Sequence, residues 1–473
     1  MSENMEADGG AEAIAAKFAP LRRTAEKVDA TREKKTSGGG RKEKNTEVSE
    51  DRIAAAFTRK FGDHLRYDHS VGKWFEWTTT YWSRNETRLA FHYARKMAVE
   101  ISDGDPSFSR SSVANGVEAF ARADPTHAVT ADIWDHDPYY LGTPGGTVDL
   151  KSGRIFPARP ADMITKQTGV VPEAGAPAKW LAFLDQATGH DQTLVRFLQQ
   201  VAGYCLTGVT KEHALFFIYG PGGNGKSVFL NILNHVLGDY ATTAAMETFT
   251  ASKNDRHPTD LAMLTGARLV SASETEEGRA WAESRIKQIT GGDRISARFM
   301  RRDFFEFVPQ FKLVIVGNHA PVLANVDEAA RRRFNIIPFT HVPKHKDPDL
   351  EEKLKDEAGR ILTWAIEGCK DWQANGLVRP DIVTAATKDY FDDQDMFGQW
   401  IEERCDRGSA KWEMPTPLYN DWAEFARSAG EDPGSQRGMS SKLNRAGFRR
   451  KKSNGIRAYH GLALKPRSAP HHD

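Results

Sequence analysis

Ala214-Leu-Phe-Phe-Ile-Tyr-Gly-Pro-Gly-Gly-Asn-Gly-Lys-Ser-Val-Phe-Leu230 decides how this chain is read. Ala214 to Tyr219 is a short apolar run bounded by glycine, which predicts a buried strand. A helix then begins near Gly225 and carries Val228, Leu230, Ile232 and Leu233 at helical spacing. Between them, Gly220-x4-Gly225-Lys226-Ser227 fits the phosphate-binding loop in its strand–turn–helix setting. Glycines let a backbone wrap closely around phosphates, and successive N–H groups with the helix N-terminus form a positive concavity. Gly220, Pro221, Gly222, Gly223, Asn224 and Gly225 are therefore the expected cradle. Lys226 is expected to reach the β- and γ-phosphates, and Ser227 to ligate Mg²⁺. A glycine-rich connection that ends in Lys-Ser by chance would not need an apolar strand before it and an apolar helix after it.

Bulk composition bounds the rest. The chain has 473 residues, 39% hydrophobic and 27% charged, with 65 basic against 64 acidic residues. That is the balance of a soluble globular protein long enough for about three domains. Total charge says nothing about partners. Cys205, Cys369 and Cys405 lie far apart, which excludes a zinc ribbon or a disulfide framework and suits a reducing compartment. No signal-peptide core is present, and no apolar run approaches the ~18 residues of a membrane span. The expectation is a cytoplasmic protein with no membrane partner.

Composition predicts a disordered tail over residues 1–48, rich in Ala, Gly, Ser and both charges. An α+β N-terminal domain is expected over 49–175, with helices at Asp51–Phe61, Glu86–Ser102 and Ser111–Ala123. Its aromatic strands (Lys73 to Trp77, Tyr81-Trp82) read better as a small core than as a base-stacking surface. The ATPase domain is placed at 176–345 with its preceding helices near Trp180–Ala187 and Gln192–Leu206. Strands at Arg268–Ala272, Lys312–Val316 and Phe334–Phe339 alternate there with helices, which argues for a mainly parallel sheet. A helical linker over 346–392 contains a long helical stretch, Asp349–Ala374. From 393 to 467, short helices followed by a strand–turn–strand suggest a winged-helix-like module. No acid occurs between Pro433 and His472, while Arg437, Lys442, Arg449, Arg450, Lys451, Lys452 and Arg457 do. Leu443, Phe448, Tyr459 and Leu462 between them imply a folded module, and DNA is the expected partner of such a stripe.

A phosphate loop alone names no reaction; the residues C-terminal to it do. Leu269-Val-Ser-Ala-Ser-Glu274 places an acid at the carboxyl end of a strand, where a parallel sheet borders its ligand crevice. Glu274 is the candidate to polarise water and assist at Mg²⁺; an exposed acidic loop, Ser273 to Glu277, would carry the same letters. Leu313-Val-Ile-Val-Gly-Asn318 repeats the arrangement with an amide. Arg331, Arg332 and Arg333 precede Phe334, where an arginine finger or a plain basic helix are both open readings. Between acid and amide, Gly291-Gly292 ends a helix and two short strands flank Met300-Arg301-Arg302-Asp303. Lys287, Arg298, Arg301 and Arg302 suit a phosphate backbone, or an ordinary solvated hairpin.

Taken in order, these motifs resemble superfamily 3 helicases, most closely the helicase part of phage/plasmid primase-helicases. The matching stretches are Gly-Pro-Gly-Gly-Asn-Gly-Lys-Ser, Ser-Ala-Ser-Glu-Thr-Glu-Glu-Gly, Ile-Lys-Gln-Ile-Thr-Gly-Gly-Asp, Val-Gly-Asn-His and Arg-Arg-Phe-Asn-Ile-Ile-Pro-Phe. The resemblance implies an AAA+-like P-loop ATPase core, ATP and Mg²⁺ as cofactors, and a homo-hexameric ring on single-stranded or forked DNA. It implies that Glu274 is the catalytic acid, Asn318 the sensor, and Arg332 or Arg333 the finger. By the same resemblance the Arg298–Arg302 hairpin grips DNA. Ser273 stands where many ATPases place a Mg²⁺-ordering Asp, so the metal is expected on Ser227, with Glu274 acting through water. No priming domain is expected in the tail before Asp51, and a separate primase or polymerase is expected. The rival functions are an ATP-binding replication initiator or regulator that does not unwind, a primase-helicase, and a DNA packaging motor.

Overall fold

The computed structural model describes residues 48–251, 259–273, 280–299, 303–319, 321–323, 328–429, 432–453 and 456–466. The tail expected over 1–48 therefore lies almost wholly outside the described residues, as do Glu274, Arg301 and Arg302.

The N-terminal region is α+β. Helix α1 (Glu50–Phe61) is capped by the Ser49 hydroxyl and buries Ile53, Ala54 and Phe57. Strands β1 (Leu65–Asp68), β2 (Lys73–Trp77) and β3 (Trp82–Arg84) form a meander, followed by α2 (Leu89–Ile101), α3 (Ser111–Ala123) and the short β4 (Ala128–Val129). The sheet order is β3-β2-β1-β4. Trp74 and Phe57 lie in one core with Ala94, Met97 and Val117, so these aromatics do serve as packing. A second antiparallel sheet follows, of β5 (Tyr140–Thr143), β6 (Gly146–Asp149) and β7 (Arg154–Phe156).

Helices α4 (Ala178–Ala187) and α5 (Gln192–Leu206) lead into the central sheet. Its strands and helices alternate as β8 (Leu215–Tyr219), α6 (Lys226–Leu237), β9 (Ala241–Thr243), α7 (Thr259–Ala262), β10 (Leu269–Ser273) and α8 (Glu283–Gly291). A hairpin of β11 (Ile295–Ala297) and β12 (Phe305–Phe307) is inserted before β13 (Lys312–Gly317), α9 (Glu328–Arg333) and β14 (Phe334–Pro338). Five strands run in the order β14-β8-β13-β10-β9, and each pair is parallel. A parallel sheet must be covered on both faces, and alternate residues divide accordingly. Phe216, Ile218, Val314 and Val316 face one core; Leu215, Phe217, Leu313 and Ile315 face the other. This is the α/β core expected, with the short polar edge strand β9 not foreseen.

The helical stretch expected over Asp349–Ala374 comprises two helices, α10 (Leu350–Lys355) and α11 (Ala358–Asn375). At the break, the Glu357 carboxylate accepts from the backbone N–H groups of Lys179 and Trp180, at the start of α4. Leu354, Ile361, Leu362 and Trp372 lie in the same core as α5 and α6. Helices α5 and α11 approach backbone to backbone: a Cβ on Gly203 would stand 2.0 Å from Cys369 N, and one on Gly368 would stand 2.1 Å from Gln199 O. Gly203→Ala should therefore cost about 3 kcal/mol, the upper end of overpacking, because backbone cannot step aside. Thermal unfolding should move down by several degrees; an unchanged midpoint would mean the helices do not cross this closely.

Helix α12 (Asp381–Gln394) packs on β14, and the C-terminal region follows as α13 (Met396–Arg404), β15 (Cys405–Glu413), α14 (Pro415–Ser428), α15 (Gln436–Arg445), β16 (Arg450–Ser453) and β17 (Ile456–Leu464). The sheet order β15-β17-β16 with this helix order is that of a winged helix. Strand β15 has no apolar alternation to mark it, because Asp406 to Lys411 hold no large apolar side chain and are partly or fully exposed, with a register irregularity between Arg407 and Trp412. Among the described residues, no helix is long and apolar enough to cross a membrane.

Candidate functional site

The glycine loop leaves the sheet where its topology divides. β8 pairs with β13 on one flank and β14 on the other, so the loop opens at the carboxyl edge between strands of opposite destination. Such switch points are where open α/β sheets bind ligands. Gly220, Gly223 and Gly225 have φ of 150°, 79° and 89°, a backbone that side chains rarely tolerate. At Gly220 a Cβ would also meet Phe339 O at 2.0 Å, and at Gly225 it would meet the Phe183 ring at 2.6 Å. Thus α4 and the end of β14 press the loop into shape from outside. Asn224 adds a clamp by donating its side-chain amide to Phe339 O.

Helix α6 starts at Lys226 with no side-chain cap, so its first-turn N–H groups are available to an anion. Lys226 itself is buried, and its ammonium donates to Gly220 O (2.7 Å), Pro221 O (3.1 Å), Asn224 Oδ1 (3.0 Å) and Asn318 Oδ1 (3.2 Å). Among the described residues no carboxylate pairs with it. Burial therefore pulls its pKa below the ordinary lysine value, because a cation removed from water is compensated only by neutral dipoles. Among the described residues, this positive charge has no counter-ion. A phosphate chain supplies what is missing, so the residues present fit a nucleotide. Ser227 is exposed at the same helix start, as a Mg²⁺ ligand must be. Among the described residues no cluster of His, Cys, Asp and Glu offers a protein-only metal site.

Of the groups named from sequence, Asn318 is brought to the loop. It follows β13, and its amide meets Lys226 across the cradle. A cleft of about 700 Å³ opens beside it, lined by Tyr219, His319, Thr340 and the α12 side chains Asp389 and Asp393. Glu274 lies outside the described residues; Ser273 before it pairs in register with Val316 at the carboxyl end of β13.

The arginines are not brought to this loop. Arg332 and Arg333 close α9 immediately before β14, where Phe334 is in register with Leu215 and Pro338 with Tyr219. They therefore sit at the opposite edge of the sheet from Gly220. Five residues of β14 separate the edges, about 17 Å at the usual strand rise, beyond the reach of one arginine side chain. The two differ in freedom. The Arg332 side chain is 74% exposed; among the described residues it meets Glu328, donating to its carbonyl at 3.3 Å and lying 4.0 Å from its carboxylate. Arg333 donates to Ala329 O at 2.8 Å, and its Nε is buried without a hydrogen-bond partner among the described residues.

In the inserted hairpin, β11 and β12 pair antiparallel from Ile295 with Phe307 to Ala297 with Phe305. Gly292, at φ 79°, ends the preceding helix, which carries Lys287. The Arg298 guanidinium lies over the Phe304 ring at 4.9 Å, and Phe299 stacks on Phe305 at 5.4 Å. Phe304 is 59% exposed. The sequence points to the cations of this hairpin and a bulky side chain at its tip. The alternation Arg298-Phe299 and Phe304-Phe305 is the signal for a stacking surface as well. In the winged helix, α15 buries Met439 and Leu443 and exposes Arg437, Ser441 and Asn444; Arg450, Lys451, Lys452 and Arg457 are exposed on the wing strands.

Residues 54–189 match a family model described as D5 N terminal like, and residues 218–333 match one described as a family of unknown function, DUF5906. A candidate helicase of Acanthamoeba polyphaga mimivirus, L207/L206, is 25% identical over 322 residues, covering 62% of this chain and 33% of that protein. Candidate helicase 022R of Frog virus 3 (isolate Goorha) is 27% identical over 296 residues, 58% of this chain and 29% of that protein. Candidate helicase V13 of the Sputnik virophage is 27% identical over 194 residues, 36% of this chain and 25% of that protein. The chain thus spans between a quarter and a third of the length of these relatives. Among solved structures, the A form apo structure of the NrS-1 C terminal region superposes with a TM-score of 0.50 at 12% identity, covering 88% of this chain and all of that one. At that identity the likeness is one of fold.

Proposed function

We propose that this chain is a superfamily 3 helicase of the phage/plasmid primase-helicase type, an ATP-driven enzyme that unwinds DNA during phage, prophage or plasmid replication; the match of residues 54–189 to the D5 N terminal like model and the likeness to viral candidate helicases support that reading. The observation that carries the proposal is the pairing of Lys226 with Asn318 over a glycine cradle whose nearest finger-type arginines lie a strand's length away. In this reading each protomer contributes one half of a hydrolytic site through its cradle and the other half through α9.

In this reading the cradle and the start of α6 bind the phosphate chain of ATP, and Lys226 exchanges its carbonyl acceptors for β- and γ-phosphate oxygens. Asn318 orients water against the γ-phosphoryl group, and Glu274 polarises that water. Mg²⁺, held by Ser227 and through water by Glu274, would neutralise charge on the phosphates. An arginine from α9 of a neighbouring copy completes the charge stabilisation, which makes a closed ring, with a hexamer as the expected form, the natural assembly. The hairpin lies in sequence between the Glu274 and Asn318 strands, so a change at the γ-phosphate is transmitted to Arg298 and the tip. There cations hold DNA phosphates and Phe299 or Phe304 stacks on bases. The winged helix supplies a separate basic surface for DNA.

Steady-state ATPase and strand displacement on a fork, measured against protein concentration with both overhang polarities, test the reading. Both activities should rise cooperatively together. ATP turnover without strand displacement would favour the initiator reading instead. Replacing Arg298, Arg301 and Arg302 together by Ala should remove unwinding at least tenfold while DNA-independent ATPase changes less than about twofold, since these side chains touch DNA phosphates and not nucleotide. Unwinding at the parental rate would end the hairpin assignment.

A further inference from the structure

The loop after β14 delivers a second lysine to the cradle. Lys346 lies with its ammonium 2.5 Å, and its Cε 2.8 Å, from the point where a Cβ on Gly223 would stand. It therefore rests directly on the phosphate loop, in space that only a glycine leaves open. Lys346 has no hydrogen-bond or ion-pair partner among the described residues. The adjacent acid does not neutralise it, because both Asp347 carboxylate oxygens accept from Lys353, at 2.8 and 2.6 Å. Residues 340–346, Thr-His-Val-Pro-Lys-His-Lys, contain no acid at all.

The sheet order says which part of a nucleotide such a cation meets. Asn318 follows β13, and Glu274 follows β10 beyond it, both on one flank of β8. Lys346 arrives from β14, on the other flank. If the γ-phosphoryl group lies toward Asn318 and Glu274, the opposite end of the phosphate chain lies toward Lys346. Resting on the nucleotide reading of the loop, we infer that Lys346 is a nucleotide-binding residue that contacts the α- and β-phosphates, and so holds nucleoside di- and triphosphates alike. Its work is affinity, distinct from that of Lys226, which reaches across the loop to Asn318.

The test compares ADP and ATP on the full chain. Lys346→Ala should raise the Kd for ADP roughly tenfold, the loss expected for one hydrogen bond to a charged group. KM for ATP should rise in parallel, and kcat should fall by a much smaller factor. Lys346→Arg should keep most of the ADP affinity, since it preserves the charge. Unchanged ADP affinity in Lys346→Ala would overturn the inference, and so would a large fall in kcat with ADP affinity intact, which would place the group at the γ-phosphate. Lys226→Ala, measured alongside, separates the two levels. If it weakens ATP binding while Lys346→Ala does not weaken ADP binding, only the Lys346 inference fails. If neither variant changes binding of either nucleotide, the nucleotide reading of the loop fails with it.

Discussion

Lys226→Ala is expected to lower DNA-stimulated ATP hydrolysis by a factor on the order of 10²–10³, comparable with removing one preorganised donor from a transition state. The variant should fold. Its ammonium is desolvated among Gly220, Pro221, Asn224 and Asn318, with no carboxylate among the described residues, and a charge so placed is carried at a cost to stability. Removing it should leave the thermal midpoint within a few degrees of the parent, or raise it. A large loss of turnover with stability retained identifies the lysine as part of the chemistry. Asn318→Ala should act in the same direction and more weakly, because it orients water and carries no charge. Near-parental turnover in Lys226→Ala would remove the hydrolytic site from this loop.

The second large effect concerns α9. An arginine finger is worth roughly 10³–10⁵ in rate, and this structure places both candidates too far from their own cradle to act there. The two are expected to separate. Arg332, exposed and loosely held, should lose turnover by about 10³ or more on replacement by Ala, with little change in stability. Arg333, tied to Ala329 O and partly buried, should cost stability when truncated. Mixing is the decisive measurement. A protomer lacking Arg332 keeps an intact cradle, and a protomer lacking Lys226 keeps an intact finger. Each is inactive alone, yet interfaces that pair the two complementary halves should recover part of the turnover. Absence of recovery, together with turnover per protomer independent of concentration, would rule out a shared site.

The local parts of this protein were legible without coordinates because local chemistry specifies them. The glycine cradle, the apolar strand before it and the amphipathic helix after it follow from residues adjacent in the chain, as do α3, α5 and the cationic stripe of the winged helix. Elements with weak local signals escaped: the polar strand β15 is defined by its pairing with β17, and β9 is three residues on a sheet edge. The helical stretch from Asp349 divides at Glu357 because that carboxylate caps the start of α4, far away in sequence.

For the site, the amino-acid order named Lys226, Ser227, Glu274, Asn318, Arg332 and Arg333 as a set, of which Glu274 lies outside the described residues. Only the strand order β14-β8-β13-β10-β9 decided which of them meet. It brings Asn318 onto Lys226, sends the arginines to the far edge, and lays Lys346 on Gly223. The physical reason is that a residue's type and neighbours set its local conformation, whereas distance between remote residues is set by parallel pairing and register, which depend on burial across the whole sheet.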